Sequence, residues 1–391
     1  MTTKNWIYLD NSATTALCAE AISAMEEAMA VYGNPSSLHG AGQAAHTLME
    51  RARGQVASAL GVKLTRPSEL IFTASGTEAN NQAIFGSVYA KERRIGKRII
   101  TTDSEHPSVE KSLERLEKDG FEVVRIPTRG GVLDVDRALQ ALQVPTLLVT
   151  MMLCNNETGA RYEVEPVFAA AKALHAETVT HCDCVQGLFK VPFTPQSLKA
   201  DLVTVSSHKI HGPKGVGGLY VSPAIHKAKA LVPYLCGGGQ ESGFRGGTEN
   251  LIGICGFGAA AAAGLAKREA DMRHMADLRQ KLIDALGALG LKLNLPQGAS
   301  APHVVSLTLP RIKSQTMLNL LSAKGICVSS GSACSSKSTT PSPTLMAFGL
   351  TPAEADSTLR VSLCDTSTEA DIMALCEALQ AGLATLVRMK R

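Results

Sequence analysis

The sequence predicts an α/β protein: a large domain on a mostly parallel central sheet flanked by helices, joined to a smaller α+β domain. Three observations predict it. Between residues 69 and 222, short apolar runs of strand length alternate with helical periodicity, the pattern of parallel strands joined by crossover helices. Polar and Gly-rich residues recur at the ends of those runs, where open α/β sheets bind ligands. After a long helical stretch from Leu251 to about Leu289, Val304–Leu309, Ile326–Ser330 and Thr358–Leu363 read as strands, with helices at Ser314–Lys324 and Thr368–Arg388. The expected divisions are an N-terminal segment over residues 1–15, the large domain over 16–255 and the small domain over 256–391.

Ile7 to Asp10 reads as a short extended segment, and Ala16 to Tyr32 as a helix that Gly33-Asn34-Pro35 ends. The polar loop GNPSSLHGAGQ either lines a site or connects two helices, and its composition fits both. Gln43 to Leu60 is helical. Glu69 to Thr73 is a strand, and Ala74, Ser75 and Gly76 make a small-residue turn before a helix from Thr77 to roughly Arg93. The free N–H groups and positive dipole end of that helix, with the Thr77 hydroxyl, suit a phosphate; a Ser or Thr there also serves as a plain N-cap.

Arg98 to Thr102 is the next strand, with His106 beyond its end and Pro107 opening a helix. Glu122–Pro127 and Thr146–Met152 are strands around a helix at Val135–Leu142. The second runs into CNNETG, where Asn155 and Asn156 either hold a turn or bond a ligand oxygen. Val164–His175 is helical, and the strand Thr178–Asp183 places Asp183 at its end with Gln186 three residues on. A buried carboxylate needs a cation, and a protonated pyridine nitrogen is one such partner. His181, Cys182 and Cys184 surround Asp183, but no second ligand cluster completes a zinc site, so no metal is expected.

Leu202 to Ser206 suits a buried strand, and Gly212, Pro213, Gly215, Gly217 and Gly218 are expected to stop any regular element after it. Lys209 therefore sits on a strand-to-loop turn. Partly desolvated beside hydroxyls and a histidine, its amine would be the nucleophile of a Schiff-base enzyme; an ordinary solvated lysine fits the same turn. The loop CGGGQESGFRGGTEN, with Arg245 and Thr248, reads as an anion contact or a flexible connector. In the small domain, SSGSACSSKSTTPSP (residues 329–343) carries one reactive side chain, Cys334. An exposed thiol oxidises and exchanges readily, which favours a working nucleophile there. Arg360 binds a substrate carboxylate or makes a structural ion pair.

Composition narrows the class. The 391 residues carry a net charge of +4, well mixed, with no basic run interleaved with aromatics, which disfavours a nucleic acid partner and leaves small-molecule chemistry. The start MTTKNWIYLD lacks a signal-peptide pattern, and the apolar run Leu251–Ala266 is shorter than the ~20 residues of a membrane span. Ten cysteines without paired spacing fit a reducing cytosol, so a cytoplasmic location is expected.

Taken in order, YLDNSATT, GNPSSLHGAG, FTASGTEANN, EHPSV, NNETG, HCDCVQ, SSHKIHGPKGVGGLYV, GGGQESGFRGGTEN, SSGSAC and LRVSL resemble the cysteine desulfurases. These are pyridoxal-phosphate enzymes of fold type I, and the resemblance spans nearly the whole chain. It implies that Lys209 carries the cofactor as a Schiff base and that Asp183 pairs with the pyridine nitrogen. Gln186 and Asn156 would contact the ring oxygen, and His106 would stack on the ring and move protons. Gly76, Thr77, Ser206 and His208 would hold the phosphate. Thr248 would reach the phosphate of a neighbouring subunit, implying a homodimer. Arg360 and Asn34 are the candidate substrate contacts.

SSGSAC and the length of the segment after it resemble the group with a long mobile cysteine loop, in which Cys334 would attack the sulfur of L-cysteine. The expected products are L-alanine and a persulfide passed to an acceptor protein, with iron–sulfur cluster assembly the expected use. Cys364 stands where many relatives have glycine, and the chain stops at LVRMKR without the tail that housekeeping members use to dock a scaffold, which leaves the acceptor open. The rival readings are a selenocysteine lyase or other β-eliminating lyase and an aminotransferase of the same fold. A cofactor-free sulfur or metal carrier would leave Lys209, Asp183 and His106 without a common explanation.

Overall fold

The structure is a computed structural model that describes residues 6–331 and 341–386. Numbered along the chain, the strands are β1 (Ile7–Tyr8), β2 (Leu70–Thr73), β3 (Arg98–Thr102), β4 (Glu122–Ile126), β5 (Leu148–Met152) and β6 (Val179–Asp183). They continue as β7 (Leu202–Ser206), β8 (Gly217–Val221), β9 (Lys292–Leu293), β10 (Val304–Thr308), β11 (Ile326–Cys327) and β12 (Thr358–Ser362). Seven form one sheet in the order β2-β8-β7-β6-β5-β3-β4. The pairs β7/β6, β6/β5, β5/β3 and β3/β4 are parallel, and β8 runs antiparallel to both β7 and β2.

Strands buried on both faces alternate between two cores. Ile100, Val149 and Val203 face one core with Val56, Phe168 and Phe257. Ile99, Leu148 and Leu202 face the other with Ile84, Val109 and Leu113. Crossover helices on both faces make the parallel arrangement possible.

Two expectations change. Gly217 and Gly218 open β8 instead of ending regular structure, because β2 and β7 supply hydrogen-bonding partners on both sides. The expected boundary after residue 255 falls inside a single helix, Leu251–Ala288, that runs unbroken across it. That helix is long and apolar enough by composition to cross a bilayer, but its apolar first half is packed inside the protein, and a Cβ on Gly258 would lie only 2.6 Å from the Ala52 backbone. Its second half supplies Leu278, Leu282 and Leu286 to the small-domain core.

The small domain holds the antiparallel sheet β12-β10-β9 and the parallel pair β1-β11. Leu9 lies in its core with Val305, Leu307 and Leu359. The N-terminal segment is therefore a strand of the small domain, and residues 10–18 return from it across the carboxyl ends of the large sheet to meet the turn after β7.

Candidate active site

A cavity of about 170 Å³ lies where the ends of β5, β6 and β7 meet the start of the helix Gly76–Ile95. It collects Gly76, Thr77, His106, Asn156, Asp183, Gln186, Ser206, His208, Lys209 and Arg360, residues from distant parts of the chain. Parallel strands point their carboxyl ends the same way, so one crevice receives all their loops.

Lys209 sits on the short 3-10 turn Ser207–Lys209 that follows β7. Its Nζ donates to the carbonyl oxygens of Ser12 (2.6 Å) and Ala13 (2.7 Å). Residues 12–15 are thus a wall of the site, which the sequence did not reveal. Ser12 O also accepts from Gln186 Nε2 (2.9 Å), while Gln186 Oε1 meets His303 Nε2 (3.0 Å). His303 comes from the small domain and fixes which way the Gln186 amide faces.

Asp183 is buried at the end of β6 and accepts from Asn80 Nδ2 (2.7 Å) and the Val185 N–H (2.9 Å). Among the described residues no cationic side chain pairs with it. An isolated buried carboxylate is costly, so the site is built for a positive charge brought from outside the chain. Next to it, the Ser108 N–H donates to His106 Nδ1 (3.2 Å), which leaves the ring proton of the neutral imidazole on Nε2. Burial, then the Lys209 charge, push the His106 pKa below its ordinary value, although Asp183 opposes them. His106 is therefore neutral near pH 7. His208, whose Nδ1 meets Thr14 Oγ1 at 3.2 Å, is pushed down to about 4, chiefly by burial.

At the other end, Ser75 Oγ accepts the Glu78 N–H (3.1 Å) and caps the helix. The first-turn N–H groups of Gly76 and Thr77 have no intrahelical acceptor and border the cavity. The Ser206 hydroxyl, facing the same turn, is buried without a hydrogen-bond partner. Ser75 is the N-cap, and the donors beyond it have an arrangement that fits an anion.

Arg360, on β12, is 1% exposed and does two things at once. It pairs with Asp10 (2.7 Å) and donates to Asn156 O (3.0 Å), while its Nε has no partner. Glu157, in the NNETG loop, touches both described flanks of the cysteine segment. It accepts from Ser342 Oγ (2.7 Å), and a Cβ on Gly331 would lie 2.9 Å from its Oε2. Burial raises the Glu157 pKa. Cys334 lies outside the described residues.

Two expected contacts stand apart from the cavity. Asn34 is exposed, its Oδ1 capping a turn by accepting the Ser36 N–H (2.9 Å), and Thr248 is exposed on its loop. Arg245, beside Thr248, pairs with Glu78 (2.8 Å). His181 is a core residue between Thr150 (2.8 Å) and Thr204 (3.0 Å), pushed down to about 4 by burial.

The class-V aminotransferase family model matches residues 7–375. A cysteine desulfurase of Trichormus azollae is 38% identical over 377 residues, covering 95% of this chain and 92% of that protein. The chain belongs to the cysteine desulfurases of the class-V aminotransferase family. A solved NifS-like protein superposes on this desulfurase chain with a TM-score of 0.89 at 35% identity, covering 97% of the chain and all of that structure. The structure of SspA in complex with cysteine superposes with a TM-score of 0.77 at 30% identity, covering 92% and 99%.

Members of this family are generally pyridoxal-phosphate enzymes, and the desulfurase site fits that group. The unpaired Asp183 suits a pyridinium nitrogen. The Gly76 and Thr77 amides and the orphan Ser206 hydroxyl suit a phosphate, and Lys209 suits an aldehyde. Asn80, His303, Glu157 and Ser12 escaped the sequence reading. Glu157, Ser12 and Asn80 each lay within a quoted motif, NNETG, YLDNSATT and FTASGTEANN, whereas His303 lay in none.

Proposed function

We propose that this cysteine desulfurase converts L-cysteine to L-alanine and a persulfide on Cys334, with pyridoxal phosphate held by Lys209, Asp183 and the Gly76–Thr77 turn. The observation that carries the reading is the convergence of Lys209 and the uncompensated Asp183 on one cavity that also receives Arg360. When bound, the cofactor supplies an electron sink that stabilises negative charge developing at the substrate Cα.

The chain's own residues do the rest. Asp183, oriented by Asn80 and Val185, keeps the site negative where a ring cation rests. Arg360, with donors left after Asp10 and Asn156, orients the substrate carboxylate. Neutral His106, with its ring proton on Nε2, adds no charge to the cavity and offers that N–H as a hydrogen-bond donor there. The Cys334 thiolate attacks the substrate sulfur, so the C–S bond breaks as an S–S bond forms. The sulfur is oxidised and the cysteine Cβ reduced by the same two electrons, so no outside oxidant is needed. SspA, bound to cysteine in its solved structure, supports the substrate. Delivery of the persulfide to an acceptor protein, for iron–sulfur assembly or related sulfur transfer, follows from this chemistry. A cytoplasmic homodimer in which Thr248 reaches the neighbouring site is the assembly we propose. The exposed position of Thr248, away from its own cavity, supports it.

The visible spectrum of the purified protein, before and after L-cysteine and with alanine and sulfide assayed together, tests this reading. A cofactor band that responds to cysteine, with equal product amounts under reductant, is expected. A band without sulfide would reject the desulfurase reaction, and no band after adding pyridoxal phosphate would reject the lysine-centred site.

A further inference from the structure

The turn beyond Lys209 and the end of β12 bring together three side chains that lie far apart in sequence. His211, Cys364 and Asp365 are, among the described residues, the one group whose metal-ligating atoms converge, all within 4.8 Å of one another. His211 Nε2 lies 3.0 Å from Asp365 Oδ1, yet neither atom makes an aligned hydrogen bond. The other ring nitrogen defines the problem. Nδ1 stands 3.0 Å from the Ala16 carbonyl oxygen, which can only accept, so Nδ1 carries the proton. In the neutral ring Nε2 then presents a lone pair to a carboxylate. Two acceptors this close need a cation between them, and a metal ion supplies one without the N–H···O alignment that a shared proton requires.

The surroundings resemble the outer support of a metal site. Cys364 is 3% exposed, and its sulfur meets Thr366 Oγ1 at 3.1 Å and accepts from Ser367 Oγ at 3.7 Å. Ser367 Oγ is itself held by the Cys364 N–H (3.0 Å). His211 has φ 66°, a left-handed conformation unusual for a non-glycine residue. Its backbone is kept there by its N–H donating to Thr15 Oγ1 (2.8 Å) and its carbonyl accepting from the Cys18 N–H (2.9 Å). Such outliers persist where the surroundings enforce them, often at functional positions. Glu20 and Asp271 line the small adjoining cavity with Lys190 and Lys267, so the charges there offset and Asp365 and the thiol set the local preference.

We propose that His211, Cys364 and Asp365 form a binding site for a divalent cation of the zinc class, with a fourth position open to water. One imidazole, one thiolate and one carboxylate are zinc donors, and three protein ligands leave a tetrahedral position free. An ion here clips the turn two residues beyond Lys209 to the strand that carries Arg360, linking the two domains at the rim of the active site.

The test uses the cofactor-loaded enzyme carrying Cys334→Ala, so that this thiol contributes no sulfur. After chelator treatment, zinc is titrated against a chromophoric competitor, and the X-ray absorption spectrum of the one-equivalent complex is recorded at the zinc edge. One ion per chain with a single sulfur neighbour is expected. Affinity falls at least about 100-fold in Cys364→Ala and in His211→Gln, since even outer partners of metal ligands cost about 10–100-fold. Thermal unfolding shows whether each variant is folded, and if one is not, the absorption spectrum of the parent decides. No stoichiometric binding, a zinc shell without sulfur, or binding that both folded variants retain overturns the proposal.

Discussion

Gly217 and Gly218 stand side by side at the start of β8, and the structure gives them opposite roles. Gly217 pairs with Thr73 on β2 and Ser206 on β7, so β8 has a strand on each side and little room to retreat. A Cβ on Gly217 would lie 2.6 Å from the Ser75 carbonyl carbon and 2.8 Å from Gly76 N. Both are backbone atoms of the cradle turn. Restoring 3.4 Å from 2.6 Å requires that turn to move by about 0.8 Å. Overpacking of this kind costs about 1–3 kcal/mol, and misplacing binding groups by about 1 Å costs up to about 100-fold. On Gly218 the same Cβ meets only side-chain atoms of Leu70, Phe257 and Val205, each at 3.5 Å. Gly217→Ala is therefore expected to weaken pyridoxal phosphate binding by about 10–100-fold and to lower stability by about 1–3 kcal/mol, while Gly218→Ala stays within about 0.5 kcal/mol. Urea unfolding of the cofactor-free protein and equilibrium dialysis of the cofactor measure the two effects. If Gly217→Ala binds the cofactor like the parent, or if both variants lose affinity alike, the close approach of β8 to the turn does not shape the cradle.

Lys209→Ala is expected to abolish alanine formation and the lysine-linked cofactor band, whereas Cys334→Ala keeps the band and forms no persulfide; labelled-sulfur transfer separates them. Glu157→Ala is expected to slow persulfide formation about tenfold with the cofactor retained, because a hydroxyl bond to a charged group is worth about 1.5 kcal/mol or more. An unchanged transfer rate would remove Glu157 from the positioning of the cysteine segment. His181, held at about 4 by burial, gives a pH prediction. Below about pH 6.5 the unfolded chain gains a proton that the folded chain refuses, so stability is full above that pH and falls toward pH 4 by up to about 3 kcal/mol from this residue. Urea unfolding at both ends of that window should show a shallower dependence in His181→Gln; an identical dependence would refute the assignment.

The amino-acid order alone carried the central sheet, the strand ends and the residues placed on them. Lys209, Asp183 and His106 were legible because each ends a short apolar run before polar or Gly-rich residues, a signal local to a few positions. The residues of HCDC offered no complete zinc site in sequence, and β6, alternating faces, sends His181 into a pair of threonine bonds that the local pattern did not show. What only tertiary structure decided are the partners. Asp10 and Arg360 meet across 350 positions, Lys209 rests on Ser12 and Ala13, His303 turns Gln186, and His211 faces Asp365. Periodicity and turn chemistry encode how a segment folds on itself. Which distant side chains then share a cavity depends on sheet order and on the packing of one domain against the other, and neither leaves a mark in the local pattern.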